Sequence, residues 1–237
     1  GQGAVPPMRL RRLCLPAGCL RGEAGATCPS GRVYAMAEDG KDRAMLHISS
    51  VDALLVIDVQ NDFLPGGSLA VPDGDAVIPV INHLTTLPFG CIVASRDWHP
   101  EAHASFAPAG RWPVHCVADT SGAAFPPGLE TSRFTRVVSK GVSAGTEAYS
   151  AFADEQGRDE TALADFLRGG GIGRVFLCGL ALDYCVAATA ADAVRSGFRS
   201  MIVADACRAI APGAELNARL RQEGSEVITY AELARGG

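Results

Sequence analysis

Apolar runs at residues 51–58, 91–95, 136–139, 175–178, 200–204 and 226–229 alternate with stretches in which apolar residues recur every three or four positions. The runs are short and rich in Val and Ile, so they predict strands rather than helices. Residues 51–58 are apolar almost without interruption, which predicts a strand buried on both faces and hence a parallel sheet. Val77, Val80, Ile81, Leu84 and Leu87 keep helical spacing. Helices are also expected near residues 160–167, 187–194 and 215–221. Strand and helix alternate at least five times. The predicted class is α/β, doubly wound, with a mostly parallel sheet of five to six strands and helices on both faces. One long stretch, about residues 103–132, carries no regular pattern. At that length a loop inside a compact domain is usually functional.

Composition changes this picture at one end only. Residues 1–50 hold Gly, Pro and Arg without sustained periodicity, and the first 35 carry five Arg against one Glu. They read as a leader, either disordered or an Arg-bearing, acid-poor targeting segment, with Met36 and Met45 as candidate natural starts. Residues 51–237 form the predicted domain. The whole chain has a net charge of −5, leaving −9 beyond residue 35. That balance argues against nucleic acid and anionic membranes as partners. Eight cysteines occur and none are spaced C-x-x-C. A reducing, intracellular and most simply cytoplasmic setting is expected.

In a doubly wound sheet, ligands bind outside the carboxyl ends of the strands. Those ends carry Asp58, Asp97 with His99, Lys140, Cys185 and Asp205. A lysine or aspartate ending a buried strand is costly to desolvate alone, so these residues are expected to partner one another and the thiol. Cys185 falls in the first turn of the helix after the fourth strand, with Asp183 expected as its N-cap. Exposed N–H groups and the helix dipole there favour an anion, so a lowered thiol pKa is expected. Asp58 is the candidate base and Lys140 the electrostatic partner. Backbone N–H groups of Cys185 and of the turn at residues 179–182 are candidates for an oxyanion hole. Such a set suits amide hydrolysis through a thioester.

Asp97 and His99 lie two residues apart, and His115 sits in a Trp-Pro-x-His loop. Two imidazoles and a carboxylate suit one divalent metal, Zn²⁺ or Fe²⁺, with Mn²⁺ as a further option. His103 is either a fourth ligand or a structural donor. Phe63 and Trp112 flank the same strand ends, and Tyr149 lies further along. They either sandwich a flat ring or pack the loops.

The motifs Asp58-Val-Gln-Asn-Asp-Phe, Ser95-Arg-Asp-Trp-His-Pro, His103-Ala-Ser-Phe, Trp112-Pro-Val-His-Cys-Val, Lys140-Gly and Gly179-Leu-Ala-Leu-Asp-Tyr-Cys-Val together resemble those of the isochorismatase-like cysteine hydrolases. The resemblance spans about residues 51–232. Members that cleave isochorismate lack the cysteine, and related cysteine amidases lack the metal residues, whereas both sets are present here. The resemblance therefore implies a member acting on nicotinamide, and on pyrazinamide as a second substrate, releasing ammonia. It implies Cys185 as nucleophile, Asp58 as base and Lys140 as third triad member. It implies metal on Asp97, His99 and His115, near the pyridine nitrogen, and the ring between Phe63 and Trp112. It further implies a cis peptide before Ala181, whose N–H would join that of Cys185 in the oxyanion hole. The partners implied are small molecules, with a homo-oligomer left open. Two alternatives stand beside this reading: a cysteine amidase for another small amide or carbamoyl compound, and a catalytically silent binding protein of the same fold.

Overall fold

The computed structural model describes residues 46–234. Strands β1 (Asp52–Ile57), β2 (Cys91–Asp97), β3 (Arg136–Lys140), β4 (Arg174–Gly179), β5 (Arg199–Cys207) and β6 (Glu226–Ile228) form one sheet in the order β3-β2-β1-β4-β5-β6. Every pairing is parallel. Helices α1 (Val77–Leu84), α2 (Leu163–Gly169), α3 (Ala187–Arg195), α4 (Leu216–Gln222) and α5 (Tyr230–Ala234) cover it.

The continuous apolar run of β1 has the cause expected of it. Ala53, Leu55 and Ile57 join the core beneath α2, α3 and α4, while Leu54 and Val56 join the opposite core beneath α1 and α5. Successive side chains of a strand point to opposite faces, so a strand with both faces covered must be apolar throughout.

Chain order reverses between β1 and β4. A crevice opens at such a switch point, at the carboxyl ends of the two strands. The approach of β4 to β1 depends on Gly179, which has φ +115; a Cβ there would stand 2.1 Å from the Ile57 carbonyl oxygen. The peptide bond between Leu180 and Ala181 is cis.

Several details differ from the pattern-based expectations. β2 runs on to Asp97, two residues past its expected end at Ser95, so Asp97 is a strand terminus, as Lys140 is in β3. Asp183 does not cap a helix. Its carboxylate accepts the N–H groups of Ile210 and Ala211, and the chain enters α3 through a π-helical turn at Leu182–Val186. Asp205 lies inside β5, is exposed, and accepts the N–H of Tyr230 at the start of α5, away from the other strand-end residues. The expectations for residues 1–45 fall outside the described residues. Residues 46–50 are attached to the domain: Leu46 and Ile48 pack on the core, and the His47 carbonyl accepts from Arg174.

Candidate active site

Asp58 follows β1 and turns the backbone into the left-handed region, φ +47. It is fully buried. Ser95 Oγ donates to its Oδ1 at 2.6 Å. Its Oδ2 stands 2.9 Å from Lys140 Nζ, in an ion-pair contact, but accepts no hydrogen bond. The same ammonium lies 2.5 Å from Asp97 Oδ1, 2.9 Å from the Ala148 carbonyl and 3.5 Å from Cys185 Sγ. A carboxylate oxygen has two lone pairs, so one that faces the ammonium still has an acceptor site for the thiol. Ligand atoms of Asp58, Asp97 and Cys185 all lie within 4.8 Å of one another.

Electrostatics divides the two carboxyls. Burial pushes Asp58 above its ordinary pKa; Lys140 opposes the push and Asp97 adds to it. Burial also works against the charged form of Asp97, but Lys140, His99 and His115 outweigh it and hold the carboxyl below its ordinary value. Lys140 loses hydration by burial, yet Asp58, Asp97 and Cys185 hold its proton well above the ordinary lysine value. The thiol departs from expectation. Burial lifts Cys185 well above the ordinary cysteine value; Lys140 favours the thiolate, and Asp58 and Asp97 oppose it. The resting group is a neutral thiol with an acceptor at hand, not a free-standing thiolate. Local helix-terminus reasoning misses this because two buried carboxylates and full desolvation are tertiary facts.

Beside the triad, the described residues place two imidazoles against the other oxygen of Asp97. His99 Nδ1 bonds the Gly141 carbonyl at 2.9 Å and His115 Nδ1 bonds the Pro113 carbonyl at 2.8 Å. A carbonyl only accepts, so in each ring Nδ1 carries the hydrogen and Nε2 presents a lone pair. Those Nε2 atoms lie 3.7 and 4.0 Å from Asp97 Oδ2. His99 Nε2 is buried and has no hydrogen-bond partner. Burial disfavours a charge on His99, but Asp97 outweighs it and draws the pKa up; burial keeps His115 below its ordinary value. A buried carboxylate facing two lone-pair nitrogens, each oriented by a backbone carbonyl, is a donor set that fits a divalent cation. Gly141 makes room for it: at φ +62, a Cβ would stand 2.5 Å from His99 Cε1.

His103 lies alongside rather than within this group. It stacks on His99 with centroids 4.1 Å apart, its Nε2 donates to the Thr146 carbonyl and its Nδ1 accepts from Ser105. The aromatic candidates do converge. Phe63, Trp112 and Tyr149 line one cavity with Asp97, His115, Ala181 and Cys185. The cavity measures about 20 Å³, enough for about one water molecule and too small for a planar ring. Trp112 Nε1 donates to Tyr149 Oη at 3.0 Å, and Arg111 donates to Tyr184 Oη at 2.7 Å. A planar substrate needs these contacts to part. Larger open hollows, such as one of about 490 Å³ outside Tyr149 and Tyr184 along α3, carry none of the acid, lysine and thiol set. Sequence reasoning passed over Tyr184 and Glu147, which also line the small cavity. The available signal was their position in the chain, Tyr184 next to Cys185 and Glu147 shortly after Lys140.

This geometry gathers a thiol, a lysine and two carboxylates at the switch point of a doubly wound sheet, and the chain belongs to the isochorismatase family of hydrolases: the Isochorismatase domain model matches residues 52–232. The nicotinamidase of Acinetobacter baylyi is 39% identical over 193 residues, covering 74% of this chain and 88% of that protein. Among solved structures, PnC1 from L. infantum in complex with nicotinate superposes with TM-score 0.77 at 40% identity, covering 80% of this chain and 98% of that one. The pyrazinamidase of Pyrococcus horikoshii in complex with zinc gives TM-score 0.67 at 40% identity, covering 75% and 98%.

Proposed function

We propose that this protein is a nicotinamidase, hydrolysing nicotinamide to nicotinate and ammonia, with Cys185, Asp58 and Lys140 as its triad. One observation carries the mechanism: Asp58, Lys140 and Cys185 meet in one buried cluster, with Lys140 Nζ 2.9 Å from Asp58 Oδ2 and 3.5 Å from the Cys185 sulfur. The thiol proton passes to Asp58 as Sγ bonds the carboxamide carbon, and Lys140 stabilises the developing thiolate. The N–H groups of Ala181 and Cys185 receive the oxyanion. The intermediate collapses with breakage of the C–N bond, and Asp58 returns its proton to the departing nitrogen, giving ammonia and a thioester. Water then gives a proton to Asp58 as its oxygen bonds the thioester carbon. Expulsion of the thiolate and return of that proton to sulfur yield the acid.

Asp97, His99 and His115 would hold a divalent metal, Zn²⁺ or Fe²⁺ with Mn²⁺ as a further option; when bound it supplies a Lewis-acid anchor for the pyridine nitrogen. His103, with both ring nitrogens engaged, is assigned to orienting His99 instead. Phe63 and Trp112 flank the ring, and Tyr149 holds Trp112. The setting is intracellular, cytoplasmic in the first instance, since the five described cysteines are all free, which suits a reducing compartment. Among the described residues no helix is long and apolar enough to cross a membrane.

The test is ammonia release from nicotinamide, pyrazinamide and a ureido amide, with and without a chelator. Turnover of the two ring amides, lost on chelation, is expected. Turnover of the ureido compound alone overturns the assignment.

A further inference from the structure

The loop leaving β1 presents Asp58, Gln60 and Asp62 in alternation. Gln60 is fully buried, and its amide is completely used. Its Oε1 accepts the N–H of Asp97 at 2.8 Å, and its Nε2 donates to the carbonyls of Asp97 at 2.8 Å and Ala123 at 2.9 Å. Taking both the N–H and the C=O of one residue is what a paired strand residue does across a ladder. The backbone of β1 supplies its last rung to this strand where Asp58 N donates to the Ser95 carbonyl at 3.2 Å, and then turns away at φ +47. Two residues further along β2, the side chain of Gln60 stands where a strand would have continued.

The residue so held joins the two halves of the site. Asp97 Oδ1 takes a hydrogen of Lys140, and Asp97 Oδ2 faces the Nε2 atoms of His99 and His115. Asp62 acts in parallel on the next segment, where its Oδ2 accepts the N–H of Cys116, adjacent to His115. We infer that Gln60 is a positioning residue that fixes the Asp97 main chain so that one carboxylate serves Lys140 and the metal group together, coupling cation binding to the environment of the Cys185 thiol. This rests on the metal reading of Asp97, His99 and His115 given above.

Two readouts independent of turnover test it: Zn²⁺ affinity of the metal-free protein, by competition with a chromophoric chelator, and the rate of iodoacetamide alkylation at Cys185, followed by peptide mass spectrometry without metal. Gln60→Leu is expected to weaken zinc binding by about 10–100-fold, as loss of a group orienting a ligand does, and to shift the rate of Cys185 alkylation away from the parent value. Gln60→Glu keeps an acceptor for the Asp97 N–H but offers no donor to the two carbonyls; it is expected to fall between, and it decides the matter if the leucine variant does not fold. Asn61→Ala is the control. Asn61 ties the same loop to the Ser121 carbonyl without touching Asp97, so both readouts should stay at the parent level. Zinc affinity and alkylation unchanged in both the Gln60→Glu and Gln60→Leu proteins overturn the inference, as does an equal loss in the Asn61→Ala protein. A parent protein that takes up no zinc overturns the metal reading instead, and an unchanged alkylation rate in the glutamate variant would then overturn the role of Gln60.

Discussion

Strand β1 begins on one buried aspartate and is followed at once by another, and the two are treated in opposite ways. Asp52, at the amino end, is 1% exposed and has every oxygen answered: Arg174 Nε donates to Oδ1, while Arg174 Nη2, Ser49 N and Ser49 Oγ all donate to Oδ2, at 2.8–3.0 Å. Burial alone would raise its pKa, but the Arg174 and Ser49 hydrogen bonds prevail and hold it below the ordinary value. Asp58, at the carboxyl end, is just as buried, yet keeps one oxygen without a hydrogen bond and is pushed above the ordinary value. A satisfied carboxylate stabilises a fold; one left short of donors is a base waiting for a proton. The two ends of one strand thus hold a paired aspartate and the aspartate proposed as the base, and the sheet's direction decides which end faces the crevice.

The comparison can be broken most severely at Lys140. Lys140→Met leaves Asp58 and Asp97 buried together without their shared cation. Loss of measurable nicotinamide turnover is expected, with a stability loss of about 3–5 kcal/mol by denaturant titration; an unchanged midpoint would mean that the cluster is not held by charge. His99→Ala comes next. It removes one of the two nitrogens facing Asp97, so bound metal by elemental analysis should fall far below one equivalent with little change in melting. Retained metal would reassign the ligands. Asp52→Asn sharpens the contrast at the other end. A cost of about 1–3 kcal/mol is expected from weakened charged hydrogen bonds, with kcat unaltered. Because the folded Asp52 pKa is depressed, its contribution is complete above about pH 4, the unfolded aspartate value, and is lost as pH falls through the lower folded value. The gap between parent and Asp52→Asn should therefore close in acid; a gap that widens there contradicts the pairing with Arg174.

How far the chain itself discloses this contrast depends on the distance over which each feature is decided. The inner strands are legible because a strand covered on both faces must be apolar at every position, as in Leu54, Leu55 and Val56. The meeting of Asp58, Lys140 and Cys185 is legible at one remove, since a parallel sheet brings all its carboxyl ends to one edge. Asp205 marks the limit of that rule: β5 continues past it to Cys207, so a polar residue after an apolar run became a surface position within the strand. Asp183 was misread for a related reason. Its partners, Ile210 and Ala211, are supplied by a distant loop, and a local capping rule cannot see them. The state of Cys185 was the largest reversal. The turn before α3 argues for a thiolate, while complete burial against two carboxylates argues for a thiol, and desolvation is the larger effect. Gln60 escaped notice altogether, because an amide announces nothing until its partners at Asp97 and Ala123 are in place.

The central claim is that Asp58 is the reagent and Asp52 the anchor. The most direct test measures kcat for nicotinamide and the melting temperature in Asp58→Asn and Asp52→Asn side by side. Asp58→Asn leaves Lys140 paired with Asp97 and is expected to lose about 10³-fold or more in kcat while melting close to the parent, whereas Asp52→Asn should turn over normally and melt lower. An Asp58→Asn protein that still releases ammonia at near-parental rates would contradict the account.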